Sequence, residues 1–204
     1  MKTQVEKVHY NFESYIDKGR FASYYYQLKY IRETNPESFL EIGGGTAILK
    51  KLIPEEIRYF NVDISKELNP DVIATVEHLP IKNNTFKLVG CFQVLEHLPF
   101  DKLPMLLEEI KRVSSKYILI SLPYANHKIR LEFTLPRSRR IDLKIIIPMF
   151  YKKHKFDGQH YWEIGKKDYP VKKIKTILEN TFKVISIFTP AENTYHTFFL
   201  LEKS

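Results

Sequence analysis

The sequence predicts an α/β chain, a doubly wound parallel sheet whose last strand runs antiparallel to the others. Three observations carry this expectation. Short apolar runs alternate with helical patterns through residue 122, as they do in a sheet wound with helices on both faces. The first two runs end at Gly43-Gly-Gly45 and at Asp63, residues suited to a sheet's carboxyl edge. The last two runs are joined by the turn-rich stretch Pro190 to Thr194 with no helical pattern between them, so they pair as an antiparallel hairpin.

Each element follows from its local pattern. From about His9 to Glu33, Tyr15, Ile16, Tyr24, Leu28 and Ile31 recur at helical spacing, and Asn35-Pro36 breaks the chain. Ser38 to Ile42 reads as the first strand, and Thr46 to Ile53 as a helix stopped by Pro54. Ile57 to Val62, Asp71 to Ala74 and Lys87 to Phe92 read as strands two to four. Asp101 to Val113 is an amphipathic helix with Leu103, Leu106, Leu107 and Ile110 on one side. Tyr117 to Leu122 is apolar on both faces, as buried parallel strands are. Val171 to Leu178 is a helix, and Phe182 to Phe188 and Thr197 to Leu201 are the closing strands.

The chain has 204 residues, which fits one domain, 1–204, with residues 1–36 as a helical N-terminal segment and 123–165 as an insertion. At 44% hydrophobic and 27% charged, the composition excludes disorder, a collagen-like chain and a disulfide scaffold. The one cysteine, Cys91, fits a reducing, cytoplasmic setting. The N-terminus lacks the apolar core of a secretory signal, and no run is long enough to span a bilayer. The net charge of +8 is uneven. Between Lys128 and Lys155, nine basic residues face only Glu132 and Asp142, a local +7.

The glycine turn after the first strand allows a sharp bend and close ligand approach to the main chain. Asp63, 20 residues after Gly43, is placed to accept ribose hydroxyls, so the spacing fits a Rossmann-type nucleotide site. Ile48 stands where a dinucleotide motif needs its third glycine. Glu41, two residues before the turn, would repel a pyrophosphate but suit a cation. S-adenosylmethionine carries a sulfonium and an amine and no phosphate, so the charge pattern favours it.

With these residues in place, the sequence resembles the class I S-adenosylmethionine-dependent methyltransferases, in their small-molecule, type 11-like branch. Phe39-Leu-Glu-Ile-Gly-Gly-Gly-Thr46 looks like their first motif and Asn61-Val-Asp63 like their second. His78 to Val89 and Val94-Leu-Glu-His-Leu98 are similar to two further segments of that branch. The resemblance covers residues 38–122 well and implies a seven-stranded Rossmann-like sheet. It implies that Glu41, Gly43, Gly44, Gly45 and Asp63 with Ile64 hold the cofactor, Thr75, Val76 and Glu77 border adenine, and Phe92 and Gln93 lie beside methionine. Tyr15 and Arg20 would cover the cofactor, Arg20 meeting its carboxylate. Three departures are visible: Ala47 for the last glycine of the loop, Thr75 for an acid that reads adenine, and Lys87 for an Asp.

Methyl transfer depends chiefly on positioning, with a base only where the acceptor must lose a proton. His97 is the candidate base, against a reading in which it only orders its loop. In some relatives a Glu-x-x-Glu-His set binds a divalent metal. Here Gln93 is the first member, a neutral and weaker ligand, so no metal is expected. His127, His160 and Tyr161 are acceptor-site candidates, with Trp162 and Glu163 beside them.

Residues 123–165 combine their charge with Phe133, Leu135, Ile141, Leu143, Ile145 to Ile147, Met149 and Phe150. That mixture suits a lid over an anionic or lipid-linked small molecule, or peripheral contact with an anionic membrane. It would also suit a solvated basic helix face over the sheet. The alternative function is nucleic-acid binding or RNA methylation on the same fold, through phosphate neutralisation. It ranks second because long aliphatic side chains do not stack on bases.

Overall fold

The computed structural model describes residues 17–135 and 139–204, and of 132–135 and 139–142 the backbone alone. Helix α1 (Lys18–Thr34) begins where the Asp17 side chain accepts from the Arg20 amide at 2.8 Å, an N-cap that satisfies a free end donor. It ends at Asn35, whose φ of 41° turns the chain into Pro36. Tyr15 and the predicted start of this helix lie outside the described residues.

Strands β1 (Ser38–Ile42), β2 (Arg58–Asp63), β3 (Val72–Ile73), β4 (Phe86–Phe92) and β5 (Ser114–Pro123) are parallel, and β9 (His196–Lys203) lies antiparallel between β5 and β8 (Phe182–Phe188). The order β3-β2-β1-β4-β5-β9-β8 forms the expected seven-stranded, Rossmann-like sheet with an antiparallel strand near its end. Strand direction of travel reverses between β1 and β4, so the carboxyl ends of these two strands flank the crevice where such folds bind ligands.

Side chains alternate across each strand, and two cores result. Leu40, Ile42, Val89, Ile118 and Ile120 meet α2 (Leu103–Val113), through Leu106, Leu107 and Ile110, and α3 (Val171–Glu179), through Ile174 and Leu178. Phe39, Leu88, Leu119 and Phe198 face α1 through Tyr30 and Ile31. Glu41 shares the parity of Phe39 and so falls on the α1 side.

Two expectations are corrected. The helix expected over Thr46–Ile53 is a single 3-10 turn, Leu49–Lys51. Gly45 and Ala47, with φ of 53° and 52°, prolong the glycine turn, and too little chain remains before Pro54 to nucleate a helix. Among its described residues the basic insertion contains no helix. It forms a two-stranded antiparallel ribbon of β6 (Asn126–Leu135) and β7 (Arg139–Pro148), separate from the main sheet. No helix among the described residues is long and apolar enough to cross a membrane.

Candidate active site

A cleft of about 230 Å³ opens at the switch point. Glu41 near the end of β1 and Gly43, Gly44 and Gly45 in the turn after it form its floor, and Phe92 at the end of β4 and Gln93 just after it form one side. Gly43 has a φ of 71°, and a Cβ there would stand 2.3 Å from Val94 Cγ2, so only glycine fits. Gln93, with φ 56°, holds a conformation costly for a non-glycine residue, of the kind that gathers at functional sites. Its amide donates to Ser121 Oγ at 3.1 Å.

Helix α1 supplies the opposite wall with Arg20, Ser23, Tyr24 and Gln27. Gln27 Oε1 is buried and has no hydrogen-bond partner, which leaves this acceptor unsatisfied. Ser23 Oγ and His196 Nδ1 lie 2.8 Å apart. Burial, aided by the Arg20 charge, lowers the His196 pKa to about 4, so this imidazole is neutral. Glu41 is buried and accepts the Tyr59 hydroxyl proton in a short hydrogen bond. Burial, together with the Asp63 charge and against the Tyr59 hydrogen bond, pushes its pKa up to about 8.

The remaining wall is stitched from distant segments. Trp162 Nε1 donates to the Leu98 carbonyl at 3.1 Å, the Tyr161 amide to the Glu96 carbonyl at 2.8 Å, and His97 Nδ1 to the Gln159 carbonyl at 3.1 Å. These bonds bring His97 and His160 to the cleft with ring centroids 5.0 Å apart. His160 Nδ1 lies 3.0 Å from Glu163 Oε1, and Tyr195 and Lys166 also reach that carboxylate. Burial alone would raise the Glu163 pKa, but these three partners hold it down to about 2. Burial works against the imidazolium of His160, yet Glu163 and Glu96 raise its pKa.

Glu96 is fully buried, and neither carboxylate oxygen has a hydrogen-bond partner. Burial pushes its pKa up to about 8. Ligand atoms of Glu96, His97 and His160 all lie within 4.8 Å of one another, a Glu/His set able to hold a divalent cation. The expectation of no metal rested on Gln93, whose amide is turned to Ser121.

The structure brings Arg20, Glu41, the three glycines, Phe92, Gln93, His97 and His160 together. It leaves other expected residues off this cleft wall. Asp63 Oδ2 accepts from Gly45 N at 3.1 Å and Oδ1 from Ser65 N at 2.8 Å, so it braces the glycine turn. Ile64, Thr75 and Val76 are likewise not among the residues that line the cleft, and Glu77 pairs with Lys102 at 2.7 Å. His127, on the ribbon, meets the Tyr151 hydroxyl at 2.7 Å, and Tyr161 packs on Phe156. Trp162 is fully buried against Phe100, so it is a core residue. Sequence reasoning missed Ser23, Gln27, Tyr195 and His196. Ser23 and Gln27 belong to the run Arg20 to Gln27, which itself resembles an N-terminal segment of some family members, whereas no local signal marks Tyr195 and His196, because the pairing of Pro123 with His196 is what carries them to the rim.

Comparison with known proteins agrees with this fold. A methyltransferase-domain family model matches residues 8–163. Similar solved structures include the PH0226 protein of Pyrococcus horikoshii OT3, at TM-score 0.63 and 13% identity, covering 98% of this chain and all (100%) of that one. Magnesium protoporphyrin IX methyltransferase of Synechocystis PCC 6803, solved with bound S-adenosylmethionine, has TM-score 0.58 and 13% identity over 91% of this chain and 80% of that one. The 1,6-didemethyltoxoflavin N1-methyltransferase of Burkholderia thailandensis has TM-score 0.57 and 12% identity over 94% and 81%. No curated protein matches the chain. With the family model spanning most of its length and the sheet order to match, the chain belongs to the methyltransferase-domain family, as a class I S-adenosylmethionine-dependent enzyme.

Proposed function

We propose that the chain methylates a small-molecule acceptor of anionic or lipid-linked character, using S-adenosylmethionine held in the cleft between β1, β4 and α1. The observation that carries the cofactor placement is the buried Glu41 carboxylate beneath the Gly43 turn. When bound, the cofactor supplies an electrophilic methyl on a sulfonium. Glu41 and Gln27 Oε1 offer acceptors to its amine, and Arg20 meets its carboxylate. Gly43, Gly44 and Gly45 allow close approach of the main chain. Asp63 has lone pairs left for sugar hydroxyls beyond its two main-chain donors, with Ile64 beside it. Thr75, Val76 and Glu77 border adenine, Phe92 and Gln93 flank the methionine portion, and Tyr15 contributes to the cover.

On the acceptor side, His160 is oriented by Glu163, and His97 stands beside it. An imidazole so held takes up a proton where the acceptor must lose one. Residues 123–165 carry basic and aliphatic side chains together, which supports an amphiphilic acceptor over RNA. His127 and Tyr161 join the acceptor side only if that segment closes. The buried Cys91 supports a cytoplasmic setting.

Calorimetry with S-adenosylhomocysteine tests the cofactor site: binding is expected, and Asp63→Ala should weaken it at least about tenfold. Absence of binding overturns the placement. Mass spectrometry of cell extract incubated with the enzyme and isotopically labelled cofactor identifies the acceptor. A labelled RNA, with no labelled small molecule or lipid, would favour the alternative.

A further inference from the structure

The β6–β7 ribbon is built inside out. Ile129 pairs directly with Ile145, and Leu131 with Leu143, while Ile147 stands opposite His127. Alternation puts these aliphatic side chains on one face. That face points away from the protein, with Ile129 51%, Leu131 49%, Leu143 54%, Ile145 56% and Ile147 44% exposed. The other face lies on the protein. Ile146 packs against the core, Lys144 Nζ donates to the Thr189 carbonyl and sits over the Phe188 ring, and Arg130 reaches Glu192 at 4.0 Å. A half-solvated antiparallel pair ordinarily puts its apolar face inward. A two-stranded ribbon is marginal in water, and a contiguous apolar face on its outside marks an interaction surface.

Charge identifies what covers it. Lys152, Lys153 and Lys155 just beyond the ribbon are exposed, beside the exposed rings of Phe150 and Tyr151, and Lys128, also exposed, stands on the ribbon's other face opposite Ile146. The backbone puts Arg139 and Arg140 at the far end. A second copy of the chain would set this positive rim against itself. A nucleic acid would neutralise the rim but leave the branched aliphatic face in water. An anionic bilayer satisfies both, phosphates taking the lysines and the acyl boundary taking isoleucine and leucine.

We propose that the outward face of β6–β7 docks the protein on an anionic lipid bilayer, with Ile129, Leu131, Leu143, Ile145 and Ile147 inserted below the headgroups. The ribbon grows from the rim of the cleft. Asn126, its first residue, donates to the Tyr124 and Thr194 carbonyls at 2.7 Å each, and the neighbouring Tyr195 lines the cleft. Docking therefore brings the acceptor side to the lipid surface. This last step rests on the proposed amphiphilic acceptor; the docking itself stands without it.

The test is co-sedimentation of the full chain with vesicles of phosphatidylcholine alone and of phosphatidylcholine mixed equally with phosphatidylglycerol. Partition onto the mixed vesicles is expected to be at least about tenfold stronger and to weaken with salt. The double variant Ile129→Ser/Ile145→Ser removes apolar area without opening the core and should lower that partition about tenfold. Calorimetry with S-adenosylhomocysteine, expected to be unchanged in the variant, reports the fold and the cleft separately. Equal or absent partition onto the two vesicles, or partition unaffected by the double variant, overturns the proposal. So does a dimer, seen by analytical ultracentrifugation, that the double variant dissociates. Vesicle binding without S-adenosylhomocysteine binding would uphold docking and overturn the cofactor placement.

Discussion

Tyr59 on β2 gives its hydroxyl hydrogen bond to the buried carboxylate of Glu41 on β1, tying the floor of the cleft to the neighbouring strand. Burial dominates over that bond and pushes the Glu41 pKa up to about 8. At neutral pH the group holds its proton, and a bound cation draws it off. The affinity for S-adenosylhomocysteine should therefore rise with pH up to about 8, by at most about tenfold per unit, then level. In the ligand-free protein the sign is opposite. The raised pKa contributes stability that is complete below 4.5 and lost as pH rises through about 8. Calorimetry and thermal melts across this range check both trends, and Glu41→Gln should flatten each.

Gly43→Ala asks a residue with φ 71° to carry a Cβ that meets Val94 Cγ2 at 2.3 Å. The turn must deform, at a cost of about 1–3 kcal/mol. Denaturant melts should show this loss, and S-adenosylhomocysteine binding should fall at least about tenfold because the main chain no longer approaches the ligand.

Glu163 is the anchor of the acceptor wall. Its pKa of about 2, against an ordinary 4.5, means its stabilisation is present above 4.5 and lost as pH falls toward about 2. Glu163→Gln should cost about 1–3 kcal/mol at neutral pH and remove the acid-side loss. The same variant should lower the His160 imidazole pKa, read by proton NMR titration, since Glu163 helps raise it.

Trp162 joins the acceptor wall to the core through the Leu98 carbonyl. Trp162→Ala should cost about 3–5 kcal/mol, and Trp162→Phe less, with the loss concentrated in the missing Nε1 hydrogen bond. Chemical denaturation of both variants separates the two contributions.

With Gln93 neutral and turned to Ser121, turnover is expected to survive exhaustive chelation. If chelation abolishes methyl transfer and a divalent cation restores it, then Glu96, His97 and His160 are its ligands.

Much of the fold is legible along the chain, because β1, β4 and β5 are buried runs with clear ends and α2 repeats its leucines at helical spacing. The helix expected at Thr46–Ile53 failed where Ala47, an ordinary residue, adopts a glycine-like φ, which propensity does not reveal. The ribbon was not legible because Ile145 to Ile147 interrupt the alternation of aliphatic and polar residues in β7. Half of the site was readable, since Glu41 and Gly43–Gly45 are contiguous. Gln27, Tyr195 and His196 were not, being joined only by packing across more than one element.

Sequence alone determined the alternating architecture, the glycine turn with its acids, and the concentration of positive charge between Lys128 and Lys155. These are properties of periodicity, backbone freedom and composition, and they are local. The tertiary structure decided which residues close the cleft and which face of the β6–β7 ribbon meets solvent. Those outcomes depend on where Ile146, Lys144 and Arg130 find partners far along the chain, and on β9 inserting beside β5, long-range pairings that no local pattern specifies.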